Sequence, residues 1–368
     1  MQILAVDMGT GTQDILLFDP EVPVENNPRM VLPSATRIAA ARIQAAARAS
    51  RPVLFTGVVA GGGPVSWAAA DFLASGGRAF ATPEAAQTFD DDPDGVRAMG
   101  IEIVSADEAT RLDADRVVLQ DLDLDAIRTA LAAFEVPIAF DGIAVGCLDH
   151  GAAPPGISDR VFRFEHLQRC VAARNHLLTF ATHPDALPPY LTRARAMAAC
   201  AREAAPVAFM DTGPAAALGA LHDERVASYP ETVVLNLGNM HLLGFHLRGA
   251  RIASLFEHHT GELSPDQVVN FTRRMADGSL SNREIFESKG HGALHADRSL
   301  VTARLPRLVA ATGPRRDLLR GSALRPYFAA PYGDMMIGGC FGLLRAFADV
   351  YPDSAPAIEH RLGPLPGA

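Results

Sequence analysis

The chain opens with two short apolar runs separated by a glycine-bearing turn. Ile3-Leu4-Ala5-Val6 runs into Asp7 and Met8, then Gly9-Thr10-Gly11-Thr12, then Gln13-Asp14 and Ile15-Leu16-Leu17-Phe18. Runs of this length bounded by glycine predict two buried strands joined as a hairpin. Glycine supplies the backbone freedom of the turn and lets an oxygen-rich ligand approach the main chain. Successive turn N–H groups can form an anion-binding nest, and Asp7 beside them suits Mg²⁺, which binds through one or two carboxylates plus phosphate and water. The same residues also suit an ordinary glycine turn.

Strand-like and helix-like segments then alternate, which predicts an α/β fold. Pro33-Ser34 opens an alanine-rich helix to about Ala49, with Ser34 as its cap. Val53-Leu54-Phe55 reads as a strand, and Gly61-Gly62-Gly63-Pro64 leads into a helix over 65–73. A glycine loop feeding a helix N-terminus can bind an anion or serve as a tight connection. Asp90-Asp91-Asp92-Pro93-Asp94 reads as a solvated helix start. Val117-Val118-Leu119 and Pro137-Ile138-Ala139-Phe140 read as strands, the second leading to Asp149 and His150. Strand ends are where open α/β sheets place chemistry, so either residue suits a general base, or a capped loop.

The second half repeats the opening pattern. Val207–Asp211 reads as a strand, and Thr212-Gly213-Pro214 turns into the small-residue helix 215–221. Val233–Leu247 is a second hairpin, with Asn236 where the first has Asp7 and Gly238-Asn239 in its turn. Arg307–Ala311 is a strand ending at Thr312-Gly313-Pro314-Arg315-Arg316, followed by a helix, and 333–346 reads as a glycine-bearing helix. Ser264-Pro265-Asp266-Gln267 is a capping box opening a helix from Pro265 to about Met275.

Composition narrows the class. The 368 residues are 48% hydrophobic and 20% charged, which fits one large or two smaller globular domains and leaves no membrane-spanning run. A net charge of −9 argues against a nucleic-acid partner. Cys147, Cys170, Cys200 and Cys340 are scattered, and a reduced, cytoplasmic protein is expected. Lys289 is the only lysine, a retained amine or a surface residue.

The order of five elements resembles the ASKHA superfamily of acetate and sugar kinases, heat-shock chaperone ATPases and actin. Residues 3–18 are similar to its first phosphate loop, 209–221 to its first connecting helix and 233–247 to its second phosphate loop. Residues 308–319 are similar to its adenosine segment, and 334–347 to its second connecting helix. The resemblance implies two facing ribonuclease-H-like domains: residues 1–222 with insertions, on which helix 334–350 packs, and residues 223–333. It also implies ATP and Mg²⁺ as cofactors. Phosphates would lie on Gly9, Thr10, Gly11, Thr12, Gly238 and Asn239, and the nucleoside against Gly313 with Arg315 or Arg316. Asp7 would organise the metal, and Asp211 would join the catalytic group. The superfamily often has an acid where Asn236 stands, which puts turnover in question.

A second resemblance spans most of the chain. Thr10-Gly11-Thr12-Gln13-Asp14, Gly61-Gly62-Gly63-Pro64, Ala81–Ala86, Met210–Ala216, Phe256–Gly261, Gly290–Ala293 and Tyr332–Met336 are similar to a prokaryotic family whose members carry the label pyruvate formate-lyase activating enzyme. Such enzymes need a CxxxCxxC cluster site, which these four cysteines do not supply.

Glu257-His258-His259-Thr260-Gly261-Glu262 concentrates further chemistry. On an extended segment Glu257 and His259 share one face and His258 the other. His241, His246, His291 and His295 lie on neighbouring segments. Glu257, His258 and His259 are therefore candidate ligands for a second divalent metal, or structural histidines. The reading is an ATP-binding, Mg²⁺-dependent ATPase or small-molecule phosphotransferase. Asp7, Asp149, His150 and Asp211 are its catalytic candidates, and its partners are a nucleotide and a small-molecule acceptor. A metal-dependent hydrolase built on Glu257–Glu262 and a non-catalytic partner protein are the alternatives. Oligomeric state stays open.

Overall fold

The computed structural model describes residues 1–301 and 304–366. Its strands are β1 (Ile3–Met8), β2 (Thr12–Phe18), β3 (Arg29–Pro33), β4 (Val53–Gly57), β5 (Ala79–Ala81), β6 (Ile101–Ile103), β7 (Asp115–Leu119), β8 (Gly142–Cys147), β9 (Ala181–Thr182), β10 (Val207–Asp211), β11 (Glu231–Leu237), β12 (His241–Arg248), β13 (Arg251–His259), β14 (Gly292–His295), β15 (Leu308–Thr312) and β16 (Tyr327–Phe328).

Two six-stranded sheets share one plan. The first is ordered β3-β2-β1-β8-β10-β9 and the second β14-β13-β12-β11-β15-β16. In each, three consecutive antiparallel strands form a meander. The next two core strands then join in parallel on the far side of the meander's first strand. This third-second-first-fourth-fifth order, with only the second strand reversed, is the ribonuclease-H-like sheet. Its occurrence twice in one chain defines an actin-like, ASKHA-type α/β architecture. β1 and β8 are buried along their whole length, which is why both read as continuous apolar runs.

Helices of small residues join the halves. Thr212–Ala220 follows β10 directly, with the Asp211 carboxylate accepting from Gly213 N–H at its N-terminus. Helix Gly338–Val350 packs on β1, β8 and β10 and crosses Thr212–Ala220 at backbone distance. A Cβ at Gly219 would stand 1.8 Å from the Gly338 carbonyl oxygen, and one at Gly342 2.0 Å from that of Ala215. Glycine is therefore a packing requirement at this crossing.

Between β3 and β8 the chain builds a third sheet, parallel throughout and ordered β6-β5-β4-β7. It has its own core, including Ile43, Phe55, Val65, Phe72 and Val117. Helix Ala35–Arg48 lies over it, burying Thr36, Ala39, Ala40, Ile43 and Ala46 at helical spacing.

Four local expectations are corrected. Residues 137–140 are irregular and the strand is Gly142–Cys147, because Pro137 has no N–H for a ladder. Only a 3₁₀ turn, Arg316–Leu319, follows β15. Residues 333–337 precede the final glycine-bearing helix, which starts at Gly338. Ser34 precedes its helix without capping it, since its hydroxyl donates instead to the Thr10 carbonyl at 2.7 Å and ties the helix to the first hairpin turn. The capping box at Ser264 is formed in full.

Candidate functional site

Antiparallel pairing around the Gly9–Gly11 turn makes Asp7 and Asp14 direct cross-strand partners. Both are buried, at 7% and 8% exposure. Thr212 donates its hydroxyl to Asp7 Oδ1, whereas Asp14 Oδ1 has no partner. A Cβ at Gly339 would fall 1.9 Å from Asp7 Oδ2, so only glycine lets helix Gly338–Val350 begin this close to the carboxylate. Burial raises the Asp7 pKa to about 7, with neighbouring Asp211 adding to the rise against the Thr212 hydrogen bond. Burial and then the charge of Asp7 raise Asp14 to about 8. Two such acids at a turn of backbone amides are an arrangement that a cation relieves.

The second hairpin brings its turn to the first. A Cβ at Gly11 would meet the Asn239 amide nitrogen at 2.3 Å. A cavity of about 1170 Å³ is lined by Asp7, Gly9, Thr10, Thr12 and Asp14 from the first hairpin, and by Asn236, Gly238 and Asn239 from the second. Gly313, at φ +94°, adds to its wall. Arg315 and Arg316, the residues expected beside a nucleoside, are not among its lining residues. Arg315 is exposed, and Arg316 donates to the Gly313 carbonyl at 3.2 Å. The loop Gly61–Gly63 reaches the same cavity, held by a Thr36 hydroxyl that donates to the Gly62 carbonyl and accepts from Val65 N–H.

Asp149 and Asp211 are committed elsewhere. Asp149 accepts from Gly151 N–H at 2.8 Å and from Ala194 N–H at 2.9 Å, one bond on each oxygen, anchoring the start of helix Thr192–Arg202 at the cavity wall. Asp211 pairs with Arg163, a fully buried arginine on helix Asp159–Ala173 that also contacts Glu257 at 3.2 Å. Glu257 is held well below the usual carboxylate range; burial opposes this, but the Arg163 guanidinium and nearby imidazoles prevail.

The histidine segment divides as extended backbone requires. Glu257 and His259 face inwards, while His258 faces away. The His258 ring nitrogens lie 3.1 Å from the His259 carbonyl and 2.9 Å from the Ser288 carbonyl, and the ring stacks on Phe271. His258 therefore does not join Glu257 and His259 in one ligand set. Glu262 pairs at the surface with Lys289, 2.9 Å away, and takes no part either.

His150 gathers instead with His241 and His291, the one group of three or more potential metal ligands among the described residues. Their rings come from the loop after β8, the start of β12 and the turn before β14, and His259 packs against His241 and His291. Burial lowers the pKa of each affected ring: His150 well below its ordinary value, His259 to about 4 and His291 to about 3.

Asp14 is the clearest residue that sequence reading did not select, although the turn position alone sets its register opposite Asp7. His241 and His291 carry only the signal of lying on segments that neighbour Glu257–His259, and Arg163 carries no local signal.

The fold and cavity thus define an actin-like protein with two ribonuclease-H-like sheets, a third parallel sheet and a cavity lined by both hairpin turns. The chain belongs to the family described as "Putative pyruvate format-lyase activating enzyme (DUF1786)", whose model matches residues 60–318. No curated protein matches. Among solved structures, an inorganic polyphosphate/ATP-glucomannokinase from Arthrobacter sp. strain KM is similar at 12% identity and TM-score 0.35, over 95% of this chain and 99% of that one. A ROK hexokinase from Thermus thermophilus is similar at 14% identity and TM-score 0.33, over 95% and 100%. At these scores the likeness carries no argument, and the architecture rests on strand order. None of the four cysteines joins a group of potential metal ligands among the described residues.

Proposed function

We propose that this protein is an ATP-binding, Mg²⁺-dependent ATPase or small-molecule phosphotransferase. Residues 1–222 with the returning helix 334–350 form one lobe, and 223–333 the other. The observation that carries the reading is the buried pair Asp7 and Asp14, one oxygen unpartnered, in a cavity that both hairpin turns line. Buried carboxylates without a counter-charge are costly, and a divalent cation is the group that fits them. Asp7 and Asp14 would hold Mg²⁺, which supplies phosphate charge neutralisation and orientation of the transferred group.

The chain's own groups do the rest. The turn amides and hydroxyls at Gly9–Thr12, with Gly238 and Asn239, bind phosphate oxygens. Thr212 keeps Asp7 oriented. Asn236, a neutral amide, leaves all the acidic character on the first hairpin. The Gly61–Gly63 loop offers a further oxyanion contact for the acceptor, which is water or a small molecule.

A thermal-shift screen with ATP, ADP and GTP, each with and without Mg²⁺, tests this. Binding to the folded state raises Tm by mass action. The reading expects an Mg²⁺-dependent rise with ATP or ADP; no rise with any nucleotide at millimolar concentration overturns it.

A further inference from the structure

We infer that His150, His241 and His291 form a second metal site, for a divalent transition-metal ion of the zinc class, separate from the Asp7–Asp14 pair. Three observations carry it.

The first is spacing. His150 Nε2 and His291 Nε2 are 3.4 Å apart, and one ligand nitrogen from each of the three rings lies within 4.8 Å of the others. Two imidazole nitrogens on one tetrahedral zinc, each about 2.0–2.1 Å from it, stand roughly 3.3 Å apart. Two rings are already at ligand spacing, and the third lies within 4.8 Å of both.

The second is charge. Behind the imidazoles Arg163 is shared by two buried carboxylates, Asp211 and Glu257. One positive charge against two negative leaves a net negative charge in the interior. A divalent cation on three imidazole nitrogens offsets that negative charge.

The third is orientation. His241 Nδ1 lies 3.3 Å from Glu257 Oε1. That separation is an ion-pair distance without hydrogen-bond geometry, and a carboxylate this close to one ring nitrogen suits the outer-sphere arrangement of a histidine whose other nitrogen faces a metal. His291 is 1% exposed, whereas His150 and His241 line the cavity. Three nitrogens leave a coordination position for water or an oxygen ligand, as in catalytic zinc sites.

The ligand set differs from Glu257-His258-His259: Glu257 moves to the outer sphere, His258 drops out, and His259 flanks the site. Neutral nitrogen donors favour zinc, cobalt or nickel over Mg²⁺.

The test uses the full chain without nucleotide. Protein stripped with chelator and dialysed is titrated with Co²⁺, following the visible absorption, and Co²⁺ is then displaced with Zn²⁺. The expected result is saturation at one equivalent with an intense low-coordinate spectrum, lost in His150→Gln and His291→Gln and retained in Asp7→Asn. Because His291 is buried and its variant can misfold, the wild-type titration decides alone: no saturable low-coordinate Co²⁺ spectrum overturns the site. So does an unchanged spectrum in both histidine variants. Retention in Asp7→Asn separates this site from the carboxylate pair, so either reading can fail without the other.

Discussion

Asp7 and Asp14 face each other across the first hairpin as register partners, both buried; Thr212 donates to Asp7 Oδ1, whereas Asp14 Oδ1 has no partner. Of the two hairpins, only the first brings carboxylates to the cavity. Asn236, the counterpart of Asp7 in the second hairpin, adds none.

The pair has a pH consequence in the absence of divalent cation. An acid whose folded pKa is raised binds its proton more tightly in the folded state, so stability falls as pH rises from the unfolded value through the folded one. For these groups the window runs from about 4 to about 7 for Asp7 and about 8 for Asp14. Asp14→Asn should therefore melt several degrees above wild type at pH 8, with the gap closing towards pH 5. Scanning calorimetry at the two pH values checks this; an equal gap at both shows that the carboxylate is not the source.

Arg163 bridges the two halves of the chain through Asp211 at the end of β10 and Glu257 on β13. Removing one member of a buried ionic group leaves the others uncompensated, at about 3–5 kcal/mol. Arg163→Met should lose stability of that order in urea unfolding. A loss below about 1 kcal/mol would show that the network contributes little.

The helix crossing gives a steric prediction. Gly219→Ala puts a methyl group 1.8 Å from the Gly338 carbonyl oxygen, which requires the two helices to separate. Overpacking of this kind costs about 1–3 kcal/mol or more. Urea denaturation should show a lower midpoint with an unchanged slope, and an unaltered midpoint contradicts the packing described.

Much of this architecture was legible in the sequence. Both hairpins, the small-residue helix after Asp211 and the capping box at Ser264 are local patterns, set by residues within one or two turns of each other. The separate sheet β4–β7 was not legible, although β4 and β7 were: an apolar run shows that a strand is buried but not which sheet it joins. The site divides the same way. Asp7 and the turn glycines announce themselves, and alternation correctly sends His258 away from Glu257. The partners of Asp149 and Asp211, Ala194 and Arg163, lie 45 and 48 residues distant and leave no local pattern. The histidine triad draws His150 and His291 together across 141 residues, a contact made by tertiary packing alone.

The central claim is that the carboxylate pair beside the first turn organises Mg²⁺ for a nucleotide. Isothermal titration of Mg·ATP into wild type and Asp7→Asn tests it most directly, with thermal melting to confirm that the variant is folded. The account predicts saturable one-to-one binding in wild type that is abolished in Asp7→Asn. Equal affinity in the two proteins, or no binding to wild type, would contradict it.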